Sequence, residues 1–290
     1  MLKGAFTAIV TPFKNGKINY TKMEELIEFQ ISNEIDGIVV CGTTGESSTL
    51  TEREKNKLIK FTVDKVAKRV PVIAGTGCNN TAKTITQSKH AEQAGADYVL
   101  LVSPYYNKTS QNGLIKHYET IADSIEIPSI LYNVPSRTGL DISAETTIKL
   151  SKHPKISAIK EASGNIGKAI KIIVNTDNDF CVLSGNDDII VPMLSIGSTG
   201  VISVVSNILP KEIHDMCNYY ENNEIDKAKE LQLFYSDLID ALFIDVNPIP
   251  IKEAMNILGL AVGDVRLPLV NTSDLNIVQI KKSLKNIFRF

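Results

Sequence analysis

Short apolar runs rich in β-branched residues recur at regular intervals along the first three quarters of the chain. The eight runs are GAFTAIVTPF from residue 4, GIVVCGTTG from 37, PVIAGTG from 71, YVLLVSPYY from 98, SILYNVP from 129, SAIKEAS from 157, CVLSGND from 181 and GVISVVSN from 200. They are nearly continuously apolar rather than alternating, which is typical of parallel strands covered on both faces. The pattern therefore predicts eight parallel strands.

The segments between these runs have the spacing of amphipathic helices. Apolar positions recur on one helical face in two sets: Met23, Leu26, Ile27 and Ile31, then Leu58, Ile59, Phe61, Val63 and Val66. Capping boxes are predicted at Thr21-x-x-Glu24 and Thr51-x-x-Glu54. Further helix starts are predicted at Asn80, Ser143 and Asn165, and Gly95 is a predicted helix end. A strand followed by a helix is thus repeated eight times.

Eight such units within about 220 residues predict an α/β fold, a (β/α)8 TIM barrel, whose usual size is about 250 residues. The main alternative, an open doubly wound sheet, usually has a G-x-G-x-x-G turn after its first strand, whereas this strand ends in Thr11-Pro12-Phe13. From about Glu224 the pattern is purely helical. We therefore expect a catalytic barrel over 1–223 and a C-terminal helical extension over 224–290, packed on the barrel or on a neighbouring subunit.

Composition and charge exclude several classes of protein. The chain has 290 residues, with 31 basic and 33 acidic side chains and a formal net charge of −2. This balance argues against binding to nucleic acid or to an anionic membrane, since either needs a basic surplus. Ile189 to Pro210 carries no charge, but Gly197-Ser-Thr-Gly200 interrupts it, which predicts a helix, a turn and a strand rather than a membrane span.

Targeting and cysteine usage predict a cytoplasmic protein. The apolar run at the N-terminus is too short for a secretory signal and no small-residue cleavage site follows it. The four cysteines lie far apart, without a C-x-x-C pair, which favours reduced thiols.

Barrel enzymes gather their active sites at the carboxyl ends of the strands, so polar residues there are candidates for chemistry. The second predicted strand ends in the segment 42–46, Gly-Thr-Thr-Gly-Glu, whose glycines allow a ligand close to the backbone. Taken alone, this segment is better explained as a tight turn capped by threonine. Tyr106 and Tyr132 follow or end neighbouring strands; packing is the usual role of such tyrosines, and proton transfer is the alternative.

Lys160 lies inside the sixth predicted strand. Period-two alternation places it on the same face as Ala158 and Ala162, and lysine is rarely buried without cause. A structural ion pair with Glu161 is the alternative, but alternation directs Glu161 to the opposite face. In a confined apolar site the charged ammonium is disfavoured and the neutral amine can attack a carbonyl carbon. These observations favour Schiff-base chemistry.

Other catalytic patterns are absent from the sequence. The four histidines are scattered without metal-binding spacing. Gly75-Thr-Gly77 lacks the third glycine of a dinucleotide loop, and neither a phosphate-binding loop nor a G-x-S-x-G elbow occurs. We therefore expect neither a metal nor a nucleotide cofactor.

Four motifs together resemble the dihydrodipicolinate synthase family, pyruvate-dependent enzymes within the N-acetylneuraminate lyase-like class I aldolase superfamily. They are Gly42-Thr-Thr-Gly-Glu46, Tyr132-Asn-Val-Pro-Ser-Arg-Thr-Gly139, Lys160-Glu-Ala-Ser-Gly164 and Asn247-Pro-Ile-Pro-Ile-Lys252. The resemblance covers the whole chain and implies the condensation of pyruvate with L-aspartate 4-semialdehyde to 4-hydroxy-tetrahydrodipicolinate. This reaction is the first committed step of diaminopimelate and lysine biosynthesis.

The resemblance also implies a role for each candidate residue. Lys160 would form an imine with pyruvate, and Tyr132 would move protons in a relay completed by Thr43 and Tyr106. In this family the second tyrosine comes from the neighbouring subunit, so Tyr106 implies a homodimer at least. A tetramer built from two dimers is usual, although dimeric members leave both states open.

The same resemblance assigns the substrate-binding residues. Thr44 and backbone amides would hold the pyruvate carboxylate, with Gly185 and Ile202 lining the pocket, and Arg137 would bind the carboxylate of the semialdehyde. Sugar-acid aldolases such as N-acetylneuraminate lyase are the alternative, but they usually carry Ser-Thr in the glycine loop and lack this arginine. A barrel that binds a keto acid without catalysis is a third possibility.

Feedback inhibition by lysine is expected to be weak or absent. Inhibited members of the family carry histidines or related polar residues after the glycine loop and an acidic residue early in the third helix. This chain has Glu52 and Lys55 in the first region and Lys83 in the second, although Asn79 and Tyr105 fit the pattern. Lys83 would repel the ammonium group of a bound lysine.

Overall fold

A computed structural model describes residues 1–288, so the last two residues of the predicted helical extension, 289 and 290, lie outside the described residues. Eight parallel strands form a closed barrel in the order β1-β10-β9-β8-β7-β6-β5-β4, which confirms the predicted fold. The barrel strands are β1 (Gly4–Ala8), β4 (Gly37–Val40), β5 (Val72–Gly75), β6 (Tyr98–Val102), β7 (Ser129–Asn133), β8 (Ile156–Glu161), β9 (Cys181–Ser184) and β10 (Gly200–Ser203).

The barrel closes where its first and last strands pair. Gly4 is the register partner of Gly200, and Thr7 is the partner of Ser203. A Cβ atom added at Gly200 would lie 2.0 Å from the carbonyl oxygen of Gly4. Because no side chain tolerates such a contact, closure requires glycine at this position.

The first predicted strand is longer in the sequence pattern than in the structure. It ends at Ala8, and a short hairpin of β2 (Phe13–Lys14) and β3 (Lys17–Ile18) follows. Asn15 and Gly16 form its turn with φ values of 52° and 72°. An Asn-Gly pair is the strongest short-range hairpin signal, so the sequence contained the information that the strand prediction missed.

Thirteen α-helices are present within residues 1–288. Those interleaved with the strands are α1 (Tyr20–Ser32), α2 (Glu52–Val66), α3 (Thr81–Ala94), α4 (Gln111–Asp123), α5 (Pro135–Thr138), α6 (Ala144–Leu150), α7 (Ile166–Val174), α8 (Ile190–Ser195) and α9 (Pro210–Glu221). The C-terminal helices are α10 (Ile225–Phe234), α11 (Ser236–Leu242), α12 (Ile249–Ile257) and α13 (Asp274–Ile287).

Local capping decides where these helices begin and end. The capping box at Thr51 and Glu54 is confirmed, and so are the caps at Asn80, Ser143 and Asn165 and the left-handed Gly95 at the end of α3. The capping box predicted at Thr21 is wrong. The side chain of Asn19 caps α1 by accepting a hydrogen bond from the Lys22 amide, so Thr21 lies inside the helix.

Two apolar cores result from this arrangement. One fills the barrel interior and includes Phe6, Val39, Leu100, Ile130 and Leu183. The other lies between the strands and the surrounding helices. All four cysteines are buried and free.

The C-terminal helices pack on the barrel. Helix α10 contacts α8 and α9, and α11 and α12 contact the short turns Asp187–Ile189 and Val205–Asn207 that follow β9 and β10. The division of the chain at residues 223 and 224 stays a prediction. Residues 189–210 form α8, a turn and β10 as expected, and no helix within residues 1–288 is both long and apolar enough to span a membrane.

Candidate active site

Lys160 projects into the barrel from β8. Its side chain shares the inner face with Ala158 and Ala162, and the residue is only 6% exposed. Tyr132 is its register partner on β7, so the two side chains are neighbours on the same face. The Nζ atom of Lys160 lies 4.6 Å from the centre of the Tyr132 ring. This arrangement places an amine beside a phenol at the end of the barrel.

The alternative pairing of Lys160 with Glu161 does not occur. Glu161 points outward, where its carboxylate accepts hydrogen bonds from the Asn133 side chain at 3.0 Å and from the Ser163 amide at 2.7 Å. Lys168 lies 3.3 Å from the same carboxylate. Within the part of the chain that the structure describes, Lys160 takes part in no ion pair.

A cavity of about 300 Å³ opens at the carboxyl ends of the strands, within the usual size range of small-molecule sites. Six predicted site residues lie in its wall: Thr43, Thr44, Tyr132, Arg137, Lys160 and Gly185. Two others do not. Ile202 is buried in the barrel interior, and Tyr106 is 93% exposed with a φ of 69°. The structure thus brings together most of the predicted set around Lys160.

The loop after β4 is tightly held. The amide of Glu46 donates to the Thr43 carbonyl at 3.0 Å, and the Thr11 hydroxyl donates to the Gly45 carbonyl at 2.7 Å. A Cβ atom at Gly45 would lie 3.2 Å from the Ile9 carbonyl oxygen, which leaves little room for a larger residue. These contacts fix the two threonines at the cavity wall.

Asn247 connects the two candidate carboxylate-binding residues. Its side-chain amide donates to the Thr44 hydroxyl at 3.0 Å, while its backbone carbonyl accepts from the Arg137 guanidinium at 3.1 Å. Arg137 itself lies on the short helix α5 and is exposed at the cavity mouth. The cavity therefore presents a hydroxyl and a guanidinium on either side of one asparagine.

Asp187 is a buried carboxylate in the cavity wall. It accepts hydrogen bonds from the Ser203 hydroxyl and from the Val204 amide, the latter at 2.9 Å. Burial raises the pKa of Asp187, and these hydrogen bonds and the positive charge of Lys160 oppose the shift. Asp188 and Asp240 add exposed carboxylates to the rim, so both signs of charge face the cavity.

Some of these wall residues could have been found from the sequence. Asp187 and Asp188 follow the seventh barrel strand, and polar residues after a barrel strand are candidates for the active site. Asn247 carries no comparable signal because it lies beyond the last barrel helix. Only the family resemblance points to the motif that begins at Asn247, and it gives Asn247 no role.

One group of possible metal ligands occurs within residues 1–288, consisting of Glu34, His214 and Asp215. Both carboxylates are already paired with the Lys211 ammonium, at 2.5 Å and 3.2 Å. The His214 ring contacts the Asp36 carboxylate at 2.9 Å. These pairs supply the neutralisation that a cation would bring, so the group is better explained as a surface ion network.

Comparison with known proteins gives one consistent result. Residues 1–287 match the model of the dihydrodipicolinate synthetase family. The chain is 51% identical over 286 residues to 4-hydroxy-tetrahydrodipicolinate synthase of Clostridium novyi, covering 99% of this chain and 97% of that one. It is 52% identical over 287 residues to the enzyme of the same name from Clostridium tetani, covering 99% and 98%. Among solved structures, 4-hydroxy-tetrahydrodipicolinate synthase from Methylacidiphilum fumariolicum superimposes with a TM-score of 0.97 at 41% identity, covering 99% of this chain and 96% of that one.

Proposed function

The chain belongs to the dihydrodipicolinate synthetase family, and from this premise we propose how its cavity acts. The reaction condenses pyruvate with L-aspartate 4-semialdehyde to 4-hydroxy-tetrahydrodipicolinate, a lyase-class step of lysine and diaminopimelate biosynthesis. The observation that carries the residue assignment is the buried amine of Lys160, free of ion pairs within residues 1–288 and facing the cavity.

Lys160 is the nucleophile of this proposal. Its neutral amine adds to the keto carbon of pyruvate, and loss of water gives an imine. The imine nitrogen withdraws electrons and acidifies the adjacent methyl group, so removal of one proton yields an enamine. The enamine carbon then attacks the aldehyde carbon of the second substrate and forms the new carbon–carbon bond, and the aldehyde oxygen takes up a proton to become the hydroxyl group. The amino group of the semialdehyde adds to the imine carbon, which closes the ring and releases the Lys160 amine.

Tyr132 moves protons in these steps. Its ring lies against the Lys160 amine, so its hydroxyl is within the same cavity as the bond-making carbon. Thr43, in the wall beside it, continues the relay toward the loop after β4.

Thr44 and Arg137 bind the two substrate carboxylates. Thr44 and the surrounding backbone amides hold the carboxylate of pyruvate, and Gly185 leaves space for it beside Lys160. The planar guanidinium of Arg137 suits two-pronged binding of the semialdehyde carboxylate at the cavity mouth. The asparagine between them keeps the two subsites at a constant separation.

Tyr106 completes the site of a second copy of the chain. It is exposed, does not line the cavity of its own protomer and has a left-handed backbone conformation. Aromatic residues such as tyrosine are enriched in protein interfaces, which supports an interface role. The enzyme is accordingly a homodimer at least, and a tetramer formed from two such dimers is consistent with the family.

Trapping and turnover test the function together. Purified protein is incubated with pyruvate and borohydride, and the mass of the reduced adduct is measured for wild type and for Lys160→Ala. We expect one adduct on the wild type and none on the variant. In parallel, pyruvate consumption is measured with L-aspartate 4-semialdehyde and with N-acetylmannosamine; consumption only with the amino sugar would overturn the substrate assignment while retaining the imine.

Mixed oligomers test the role of Tyr106. A Lys160→Ala protomer and a Tyr106→Phe protomer are each impaired, but their hybrid contains one site with both Lys160 and a partner tyrosine. Recovery of activity after subunit exchange is therefore expected. No recovery in hybrids verified by native mass spectrometry would place Tyr106 outside the partner's site.

A further inference from the structure

The segment from Asn247 to Arg266 contacts the loop after β4 by way of a buried ion pair. Lys252, on α12, extends its ammonium to the carboxylate of Glu46 at 2.8 Å. The two side chains are 2% and 0% exposed. A charge pair this deeply buried is costly to desolvate and is retained only with further hydrogen bonds.

Those further hydrogen bonds are present on both sides of the pair. The Lys252 ammonium also donates to the carbonyl of Thr11 at 3.2 Å and to the carbonyl of Asp264 at 2.7 Å. The second oxygen of the Glu46 carboxylate accepts from the Arg266 amide at 2.8 Å. Lys252 therefore links the segment after β1, the loop after β4 and the C-terminal segment.

Glu46 needs such support because of its backbone. Its φ of 54° places it in the left-handed region, which non-glycine residues occupy only when surrounding contacts maintain it. This left-handed residue ends the turn that carries Thr43 and Thr44. If its side chain were released, the turn could relax and the two threonines would move.

The ion pair lies behind the loop rather than in the cavity. Neither Glu46 nor Lys252 belongs to the cavity wall, whereas Thr43 and Thr44 do. Burial lowers the pKa of Lys252, and the adjacent carboxylate of Glu46 opposes that shift because it stabilises the charged ammonium. The ion pair can therefore influence a bound substrate only through the position of the loop after β4.

We propose that Lys252 and Glu46 are positioning residues that hold the pyruvate-carboxylate loop in its binding geometry, so that the C-terminal extension is a functional part of the pyruvate site. This inference rests on the proposed function, because it requires pyruvate to bind at Lys160. It assigns a role to the Asn247–Lys252 motif, which the reaction chemistry alone does not use.

The test measures pyruvate binding without the second substrate. The pyruvate concentration that gives half-maximal borohydride trapping is determined for wild type, Lys252→Met and the double variant Glu46→Gln/Lys252→Met, together with each melting temperature. For Lys252→Met we expect a half-saturation value raised by roughly 10- to 100-fold, since loss of a hydrogen bond to a charged carboxylate weakens binding by about that factor, and a lower melting temperature. In the double variant, no unpaired charge is buried, so the melting temperature should recover while the half-saturation value stays raised.

Met255→Ala is the matched control. Met255 is equally buried on the same helix, and its truncation should lower the melting temperature without changing the half-saturation value. An equal rise in Met255→Ala, or recovery of pyruvate binding together with stability in the double variant, would overturn the positioning role. A wild type that traps pyruvate but consumes none with the semialdehyde would refute the proposed acceptor and still allow the comparison; a wild type that traps no pyruvate would refute both.

Discussion

Replacement of Gly185 by alanine adds a single methyl group beside Lys160, the proposed nucleophile. A Cβ atom built on Gly185 would lie 2.5 Å from the Cβ of Ala162 and 3.0 Å from the Cε of Lys160. The φ angle of Gly185 is not positive, so the cost arises from these contacts rather than from the backbone. The Gly185 amide is also held by the Glu161 carbonyl at 2.8 Å, which limits movement of the strand end.

The size of the expected stability loss follows from how far these two contacts fall below normal carbon–carbon distances. Carbon atoms in contact normally lie about 3.5–4.0 Å apart, so the Ala162 contact is short by about 1 Å and the Lys160 contact by about 0.5 Å. Overpacking of this kind costs about 1–3 kcal/mol of unfolding free energy. At about 2–4 °C per kcal/mol for chains approaching this length, the melting temperature should fall by several degrees. Displacement of the amine should reduce turnover by roughly 100-fold.

The assay compares pyruvate consumption, imine trapping and the melting temperature of Gly185→Ala with wild type. Adding Ala162→Gly removes the closest atom but leaves the Lys160 contact, so most of the stability and only part of the turnover should return. Ala162→Gly alone is the matched control. Wild-type turnover in Gly185→Ala would refute the inference that this glycine leaves space for the lysine and its substrate.

Three further predictions concern other parts of the chain. Arg137→Ala should raise the KM for the semialdehyde by about 10- to 100-fold with pyruvate trapping unchanged, because it removes a charge-assisted hydrogen bond; a loss confined to pyruvate binding would show a wrong assignment. L-Lysine should not inhibit turnover at submillimolar concentration, since the Glu52 carboxylate is already paired with Lys83 at 2.8 Å and is not free to pair with the ammonium of the inhibitor; a submillimolar inhibition constant would contradict this. The hydrogen bond to Asp36 raises the pKa of His214. Its stabilisation is therefore full below the unfolded pKa of about 6.5 and is lost as pH rises through the raised folded value. His214→Gln should lower the melting temperature more at about pH 5.5 than at about pH 8.5, and an equal loss at both would argue against the charge.

The parts of the fold and site that depend on local periodicity were predictable from the sequence. Continuous apolar runs identified the barrel strands, and period-two alternation placed Lys160 inside and Glu161 outside. The start of α1 was missed because Asn19, a good capping residue two positions before Thr21, was not considered, and it caps the helix that begins at Tyr20. Capping preferences alone do not decide which of two capping residues this close in sequence starts a helix.

Contacts between distant segments were not predictable in the same way. The bond from Asn247 to Thr44 spans 203 positions, and that from Lys252 to Glu46 spans 206. Neither the polarity nor the spacing of the C-terminal segment indicates which loop it meets. The role proposed for Tyr106 likewise concerns contacts with a second copy of the chain, which local patterns in the sequence do not specify.

The pairing of β1 with β10 has a consequence for synthesis of the protein in the cell. At about 5–20 residues per second, a ribosome needs on the order of 10–40 s to make the chain between the two paired glycines. Throughout that time one edge of β1 has no strand to bond with, and it can pair with strands of other nascent chains. Slower translation or a higher density of ribosomes on the message should therefore increase aggregation during expression, and this vulnerability ends only when the eighth barrel strand emerges.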